Sequence, residues 1–452
     1  MIWNSCFSAH QFSGKEICNL RGIILNSASP SSDNQNRPIS QKNKNSIIYK
    51  IKAFHSLQYI DCRWLILGNF ASFMAIGMQQ LARAWLILRL TNDSPLALTF
   101  VTMAFALPMT VVSLLGGALA DRVPKRRLMM ISQAVTFFMV LILATLDYTG
   151  LIKFWHLIVI GVINGSVVAA SMPSRQSIIS DIVPEKELMG AIALNNSANN
   201  STRLVGPSLA GFLIVFIGTS GVFYLIAVIQ LVALFFTYLL KTGKEATGKS
   251  QKGFANDILE GFSYAKSNPV ILGLVLLSLV PAIFGFPYVT LLPAWAREAL
   301  DAHSAGMGGL EGFMGFGSLL GTLILASVKH IKHRGVFLII NGFAWGLALL
   351  LFSRCGSYHT AFPGIFVVGF MSSIFMALNN TLMQIKSSDE MRGRMVSLSM
   401  MTFGIMPLSA VPFGALAEHI GTPDSLMDAG VLLCAFIILF YIFTPNFRKV
   451  SH

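Results

Sequence analysis

Three ionisable side chains, Arg83, Arg203 and Glu311, stand inside long apolar runs. A charge at the centre of a bilayer costs about 2.5–3.5 kcal/mol even on the mildest scale, so such residues face a partner or a polar cavity and mark sites of function. A guanidinium there can hold an anionic group or form a structural ion pair, and both readings stand for Arg203 and Arg83. A carboxyl can take up and release a proton, and Glu311, the only acid well inside a run, is the candidate proton carrier by elimination. Uncharged amides form a second group: Asn69, Gln79, Gln80, Asn164, Asn196, Asn199, Asn200, Asn379 and Asn380. Spacings of three and four put Asn196, Asn199 and Asn200 on one helical face. These amides either line a polar cavity or bond one helix to the next.

The catalytic alternatives are poorly supplied. Gly-x-Ser-x-Gly and His-Glu-x-x-His are absent, and Gly248-Lys249-Ser250 lacks the upstream glycine of a phosphate-cradling loop. The five cysteines are scattered without ligand or redox spacing, so neither a metal nor a cofactor is expected. This is not the sequence of an enzyme.

The elements that must position these side chains follow from composition. Of 452 residues 54% are hydrophobic before 38 glycines are counted, and 12% are charged, about half the usual share in a soluble domain. The apolar residues gather into twelve runs, near 64–90, 97–120, 128–147, 154–178, 189–216, 220–240, 269–294, 305–328, 336–353, 360–384, 395–417 and 427–445. Each is long enough to cross a hydrocarbon core about 30 Å thick as a helix, and none alternates as a barrel strand would. The fold class is an all-α membrane protein with twelve transmembrane helices. Polar segments divide it into a disordered tail (1–60), a first bundle (61–240), a linker (241–268), a second bundle (269–445) and a short C-terminal tail (446–452).

Most of the 33 Lys and Arg fall on the side that holds both tails and the linker, while Arg89, Lys153, Arg297 and Arg354 lie opposite. That asymmetry puts both termini in the cytoplasm. It also accounts for the +13 charge by contact with anionic lipid head groups, and a nucleic-acid partner is excluded because the basic residues punctuate apolar runs.

Between the second and third runs stands Gly116-Gly117-Ala118-Leu119-Ala120-Asp121-Arg122-Val123-Pro124-Lys125-Arg126-Arg127. Gly117 lets two helices approach closely, and Asp121 at the membrane face can pair with a basic residue or a helix N-terminus. In these residues the chain resembles the major facilitator superfamily, with Gly117, Asp121, Arg122, Arg126 and Arg127 on the signature and Val123-Pro124-Lys125 in place of its usual glycine turn. Met172-Pro173-Ser174-Arg175-Gln176, Asp181-Ile182-Val183-Pro184, the stretch from Ala191 to Pro207, and Arg392-Gly393-Arg394 with Met406-Pro407-Leu408 resemble a bacterial branch that holds enterobactin exporters and transmembrane secretion effectors.

The resemblance implies two six-helix bundles related by a pseudo-twofold axis, a site between them near the midplane, and gating by Asp121 and Arg122. Gly206, Pro207 and Gly211, with Pro407 in the other half, resemble hinge elements of antiporters; proline frees a carbonyl and kinks a helix. The implied activity is secondary active export of a small organic molecule, drug-like or siderophore-like, in exchange for protons, by a monomer in the bacterial inner membrane. An importer or facilitator of the same superfamily, and a transport-inactive receptor or scaffold, remain the alternatives.

Overall fold

A computed structural model describes residues 52–120, 123–241, 263–328, 333–388 and 391–444, all within one compact unit that begins at Asn43. No strand occurs among the described residues. The long helices are α1 (Ile60–Leu90), α2 (Pro95–Ala120), α3 (Lys125–Tyr148) and α4 (Phe154–Ser177). A continuous stretch, Glu185–Tyr238, then holds two passes, α5 (185–217) and α6 (219–238). The second half holds α7 (Pro269–Leu300, with a π turn at Pro281–Gly285), α8 (Ser304–Ser327), α9 (Arg334–Ser353), α10 (Tyr358–Lys386), α11 (Arg392–Ile420) and α12 (Thr422–Phe443). These twelve coincide with the twelve apolar runs.

Gly218 reverses the chain between α5 and α6 with φ 70° and ψ 176°, a conformation open to glycine and strained for a residue with Cβ. The reversal is visible in the partners of α1. Asn69 bonds Asn195, Gly77 touches Thr202 and Gly206, and Leu81 touches Gly211, so α5 runs parallel to α1. Along α6 the order inverts: Asp61 accepts from the Lys241 backbone N–H, Gly68 touches Thr237, and Arg89 reaches Thr219.

The halves repeat one packing scheme. Gly161 and Gly165 bring α4 against the backbone of α2 at Ala104 and Phe105, while Gly317 and Gly321 bring α8 against α10 at Phe366 and Phe370. Side chains absent at these positions let helices meet on backbone contacts, which is how helices associate without a hydrophobic driving force. Between the halves, α5 packs on α8 and α2 on α11. With α2 matched to α8 and α5 to α11, these two interfaces are counterparts of each other under the exchange of halves.

Large apolar side chains cover the outside, among them Phe138, Trp155, Phe216, Phe235, Leu323, Ile340 and Leu351. That surface suits lipid and would be untenable in water.

Candidate functional site

α5 carries the clearest functional face. At 100° per residue its perimeter divides into four stripes. Asn195, Thr202 and Gly206 pack on α1; Leu204, Ser208 and Gly211 pack on α8. Val205, Leu209, Phe212 and Phe216 are exposed and apolar, facing outward. The fourth stripe lies opposite that apolar one: Asn196, Asn200 and Arg203 are exposed, whereas Pro207, Ala210 and Ile214, continuing the same line, are buried. Asn199 borders the polar stripe and is half-buried. The stripe is thus exposed toward the linker end and buried beyond Arg203.

α1 also carries a face with polar and charged members. Asn69, Phe73, Ile76, Gln80 and Arg83 share one face, on which Gln80 is exposed while Asn69 is buried. Arg83 stands 5.0 Å over the ring of Phe105 in α2, and its Nη1 is buried without a hydrogen-bond partner. Gln79, on the adjacent face, is buried and its Nε2 has no partner.

Glu311 lies deeper than Arg203. Gly312 meets Ser208 and Gly315 meets Leu204, so α8 descends antiparallel along α5 and sets Glu311 at the level of Ser208, about 7 Å beyond Arg203 by helical rise. Its side chain is 6% exposed and makes no hydrogen bond or ion pair to a described residue. Glycines at 308, 312 and 315 give α5 its close approach, and Ser208 donates to the carbonyl of Gly308 at 3.0 Å across the bundle interface.

The remaining amides separate by partner. Asn69 donates to Oδ1 of Asn195 at 2.7 Å and accepts from Arg175 Nη1 at 3.0 Å, which makes it a bond between α1, α4 and α5. Asn164 is buried with neither amide atom partnered, Asn379 is buried with its Oδ1 unpartnered, and Asn380 is half-buried.

In the sequence Arg175 stands out only within the Met172–Gln176 stretch that resembles the exporter branch, with no site role of its own. Three positions from the end of its run it reads as one more basic residue of a cytoplasmic loop, yet it is 6% exposed and bonds Asn69 and Ser72, each at 3.0 Å. Its signal in the sequence was weak because a charge near a helix end is the ordinary positive-inside pattern.

Of the loop signature, Asp121 and Arg122 lie outside the described residues, and Gly117 falls in the last turn of α2. Arg126 donates to the carbonyl of Tyr238 and stands 5.4 Å over its ring, while Arg127 is exposed. Lys125 pairs with Asp181 at 2.7 Å. This basic cluster therefore ties α3 to the turn after α4 and to the end of α6.

Helical backbone dihedrals continue through Pro207, and the non-helical residue within Glu185–Tyr238 is Gly218. Gly206 and Gly211 serve contact: a Cβ at 206 would meet Gly77 at 3.1 Å, and one at 211 would meet Gly308 at 2.9 Å. Pro407 sits within α11, where Ser409 donates to the Ala282 carbonyl of α7 at 2.8 Å.

At the end remote from the linker, two contacts cross between the halves. Glu418, near the end of α11, accepts from the Ser94 hydroxyl at 3.0 Å and from the Leu96 N–H at 3.4 Å, so it caps the N-terminus of α2. Arg297 of α7 pairs with Asp93 at 3.3 Å and stands 5.5 Å over the ring of Trp85.

Paired bundles of helices long and apolar enough to cross a bilayer are the architecture of a multi-pass membrane protein. Residues 52–450 match the transmembrane secretion effector family model, and the chain belongs to that family of the major facilitator superfamily. It is 25% identical over 390 residues to the staphyloferrin A transporter of Staphylococcus aureus, covering 84% of this chain and 95% of that protein. It is 22% identical to the multidrug efflux pump Tap of Mycolicibacterium fortuitum, covering 86% and 97%. A bacterial homologue of the human lysosomal transporter Spinster shares the fold with TM-score 0.66 at 14% identity, covering 86% of this chain and 98% of the other. The protein is thus a multi-pass membrane transporter and not an enzyme.

Proposed function

We propose that the protein exports a small anionic organic molecule from the cytoplasm by alternating access, in exchange for protons. The observation that carries this reading is the exposed stripe Asn196, Asn200 and Arg203, a fixed cation beside amides where the exposed part of this α5 face ends. A guanidinium pairs with carboxylate in bidentate geometry, and amides add donors and acceptors around it. A polycarboxylate or siderophore-like solute fits that stripe better than a lipophilic cation. The likeness to a staphyloferrin A transporter supports the siderophore side of the choice, and the likeness to efflux pumps supports the outward direction.

In this reading Arg203 holds the substrate and Glu311, about 7 Å deeper, carries the proton, with Arg83 on α1. In the same reading, which the positive-inside asymmetry supports, the linker end, both tails and the exposed end of the α5 stripe face the cytoplasm of a bacterial inner-membrane protein. The described structure then corresponds to the state closed on the far side, with Asp121 and Arg122 gating the near side. The domain boundaries at 60, 240, 268 and 445 belong to the same proposal, as does action as a monomer.

The test is a panel of carboxylate-rich, neutral and cationic solutes in proteoliposomes under an imposed pH gradient, with Arg203→Ala beside the unmodified chain. Gradient-driven flux of an anionic solute is expected, with apparent affinity reduced about 10- to 100-fold in Arg203→Ala, the scale of a hydrogen bond to a charged group. Flux confined to cationic solutes overturns the substrate class. Absence of any gradient-dependent flux favours the receptor or scaffold alternative.

A further inference from the structure

Within the first bundle, α1, α3, α4 and α6 close around a small, largely apolar cavity holding a few polar groups that the transport reading leaves unused. Its walls include Ser72 and Phe73 of α1, Ser132 and Thr136 of α3, Arg175 of α4 and Gln230 of α6. Arg175 dominates it. One Nη1 proton goes to Asn69 Oδ1 and one Nη2 proton to Ser72 Oγ, each at 3.0 Å, and the guanidinium stands 5.8 Å from the ring centre of Phe73. A guanidinium has five N–H donors and does not deprotonate in proteins, so about three donors and the whole charge remain unmatched. Among the described residues no carboxylate pairs with it.

The surrounding groups are matched to one sign of charge. Thr136 makes no hydrogen bond to a described residue, and Ser72 accepts from Arg175 while donating to none. Gln230 is buried, its Oε1 has no partner, and rotation of the amide by half a turn presents its two N–H groups instead. Ser132 spends its proton on the Val167 carbonyl at 3.1 Å. The cavity therefore offers one permanent cation, two hydroxyl protons and an amide, with no acid. A buried charge without a counter-charge is costly, and the neutral oxygens of Asn69 and Ser72 offset only part of that cost.

We propose that this cavity binds a small monovalent anion of halide size, held by Arg175 with Thr136 and Ser72. The enclosing apolar side chains Ile76, Val168 and Met172 suit a weakly hydrated halide and leave no room for a polyanion's hydration shell. The bound anion ties three helices of the first bundle, α1, α3 and α4, to one another. The inference does not rest on the direction or substrate of transport.

The experiment measures thermal unfolding of the full purified chain as chloride replaces gluconate at constant ionic strength, with bromide as a second probe. Saturable stabilisation by chloride and bromide is expected, since a ligand that binds the folded state alone raises the unfolding midpoint with its concentration. In Arg175→Gln the dependence should vanish. Thr136→Val keeps every contact of Arg175, and there the chloride concentration for half the effect should rise several-fold. An unmodified chain indifferent to halide overturns the proposal, as does an undiminished halide effect in Thr136→Val. Transport plays no part in the readout, so failure here is distinct from failure of the export reading.

Discussion

Glu311 and Arg203 show how far a residue type carries. Both stand out in sequence because charges are scarce inside apolar runs, and the structure assigns them unlike surroundings: Glu311 is buried with no hydrogen bond or ion pair to a described residue, Arg203 is exposed on a polar stripe. Glu311→Gln keeps the shape and removes the ionisable oxygen, so the variant is expected to insert and fold normally. Flux driven by a pH gradient should fall at least tenfold, while exchange of labelled for unlabelled substrate at equal pH persists. Loss of both activities would assign Glu311 to substrate binding, and retention of both would remove it from the mechanism. The amides were less legible. Asn69 and Asn196 look alike in sequence, yet one is locked between Arg175 and Asn195 and the other is exposed. Their difference lies in partners more than 100 residues away, which local spacing does not encode.

Elements were legible to within a few residues because the thickness of a bilayer fixes how long an apolar run must be. Their contacts were legible only where glycine marked them. Gly206 and Gly211 read as hinge residues beside Pro207, and the structure uses them as points where α5 meets α1 and α8. Gly211→Val should therefore act by steric separation: a Cβ there would also meet Leu81 at 2.8 Å, and overpacking of this kind costs about 1–3 kcal/mol. The expected outcome is a looser α5–α8 contact. A cysteine introduced by Ser304→Cys, at a position buried in the closed contact, should then react faster with a water-soluble maleimide than the same cysteine in the Gly211 background. Equal rates would show that α5 tolerates the added methyl groups by local adjustment.

For the whole molecule, the balance between states depends on contacts that cross between bundles. Glu418 on the α2 N-terminus and Arg297 on Asp93 form a closure with opposite signs contributed by the same half. Both contacts are partly exposed and screened by solvent, so each is worth about 0.2–1 kcal/mol and shifts the population of the closed state by up to about fivefold. Glu418→Ala and Arg297→Ala should each raise the open fraction at that end, measured as distance distributions between spin labels on the first turn of α2 and the last turn of α11. High salt should narrow the difference from the unmodified chain. Distributions unchanged at low salt would assign the closure to the α5–α8 packing alone.

The amino-acid sequence by itself determined that the chain has twelve apolar runs long enough to cross a membrane, six on each side of a polar linker, and that a handful of charges are exceptions to its composition. Those conclusions need only run lengths and the cost of charge in hydrocarbon, which are properties of a segment and its solvent. Tertiary structure decided which exceptions matter together. It buried Arg175 in place of leaving it in a loop, set Glu311 one layer beyond Arg203, and gave Glu418 a helix N-terminus to cap. The reason is that a polar side chain's role follows from what surrounds it, and in this protein those surroundings are assembled from helices far apart in the chain.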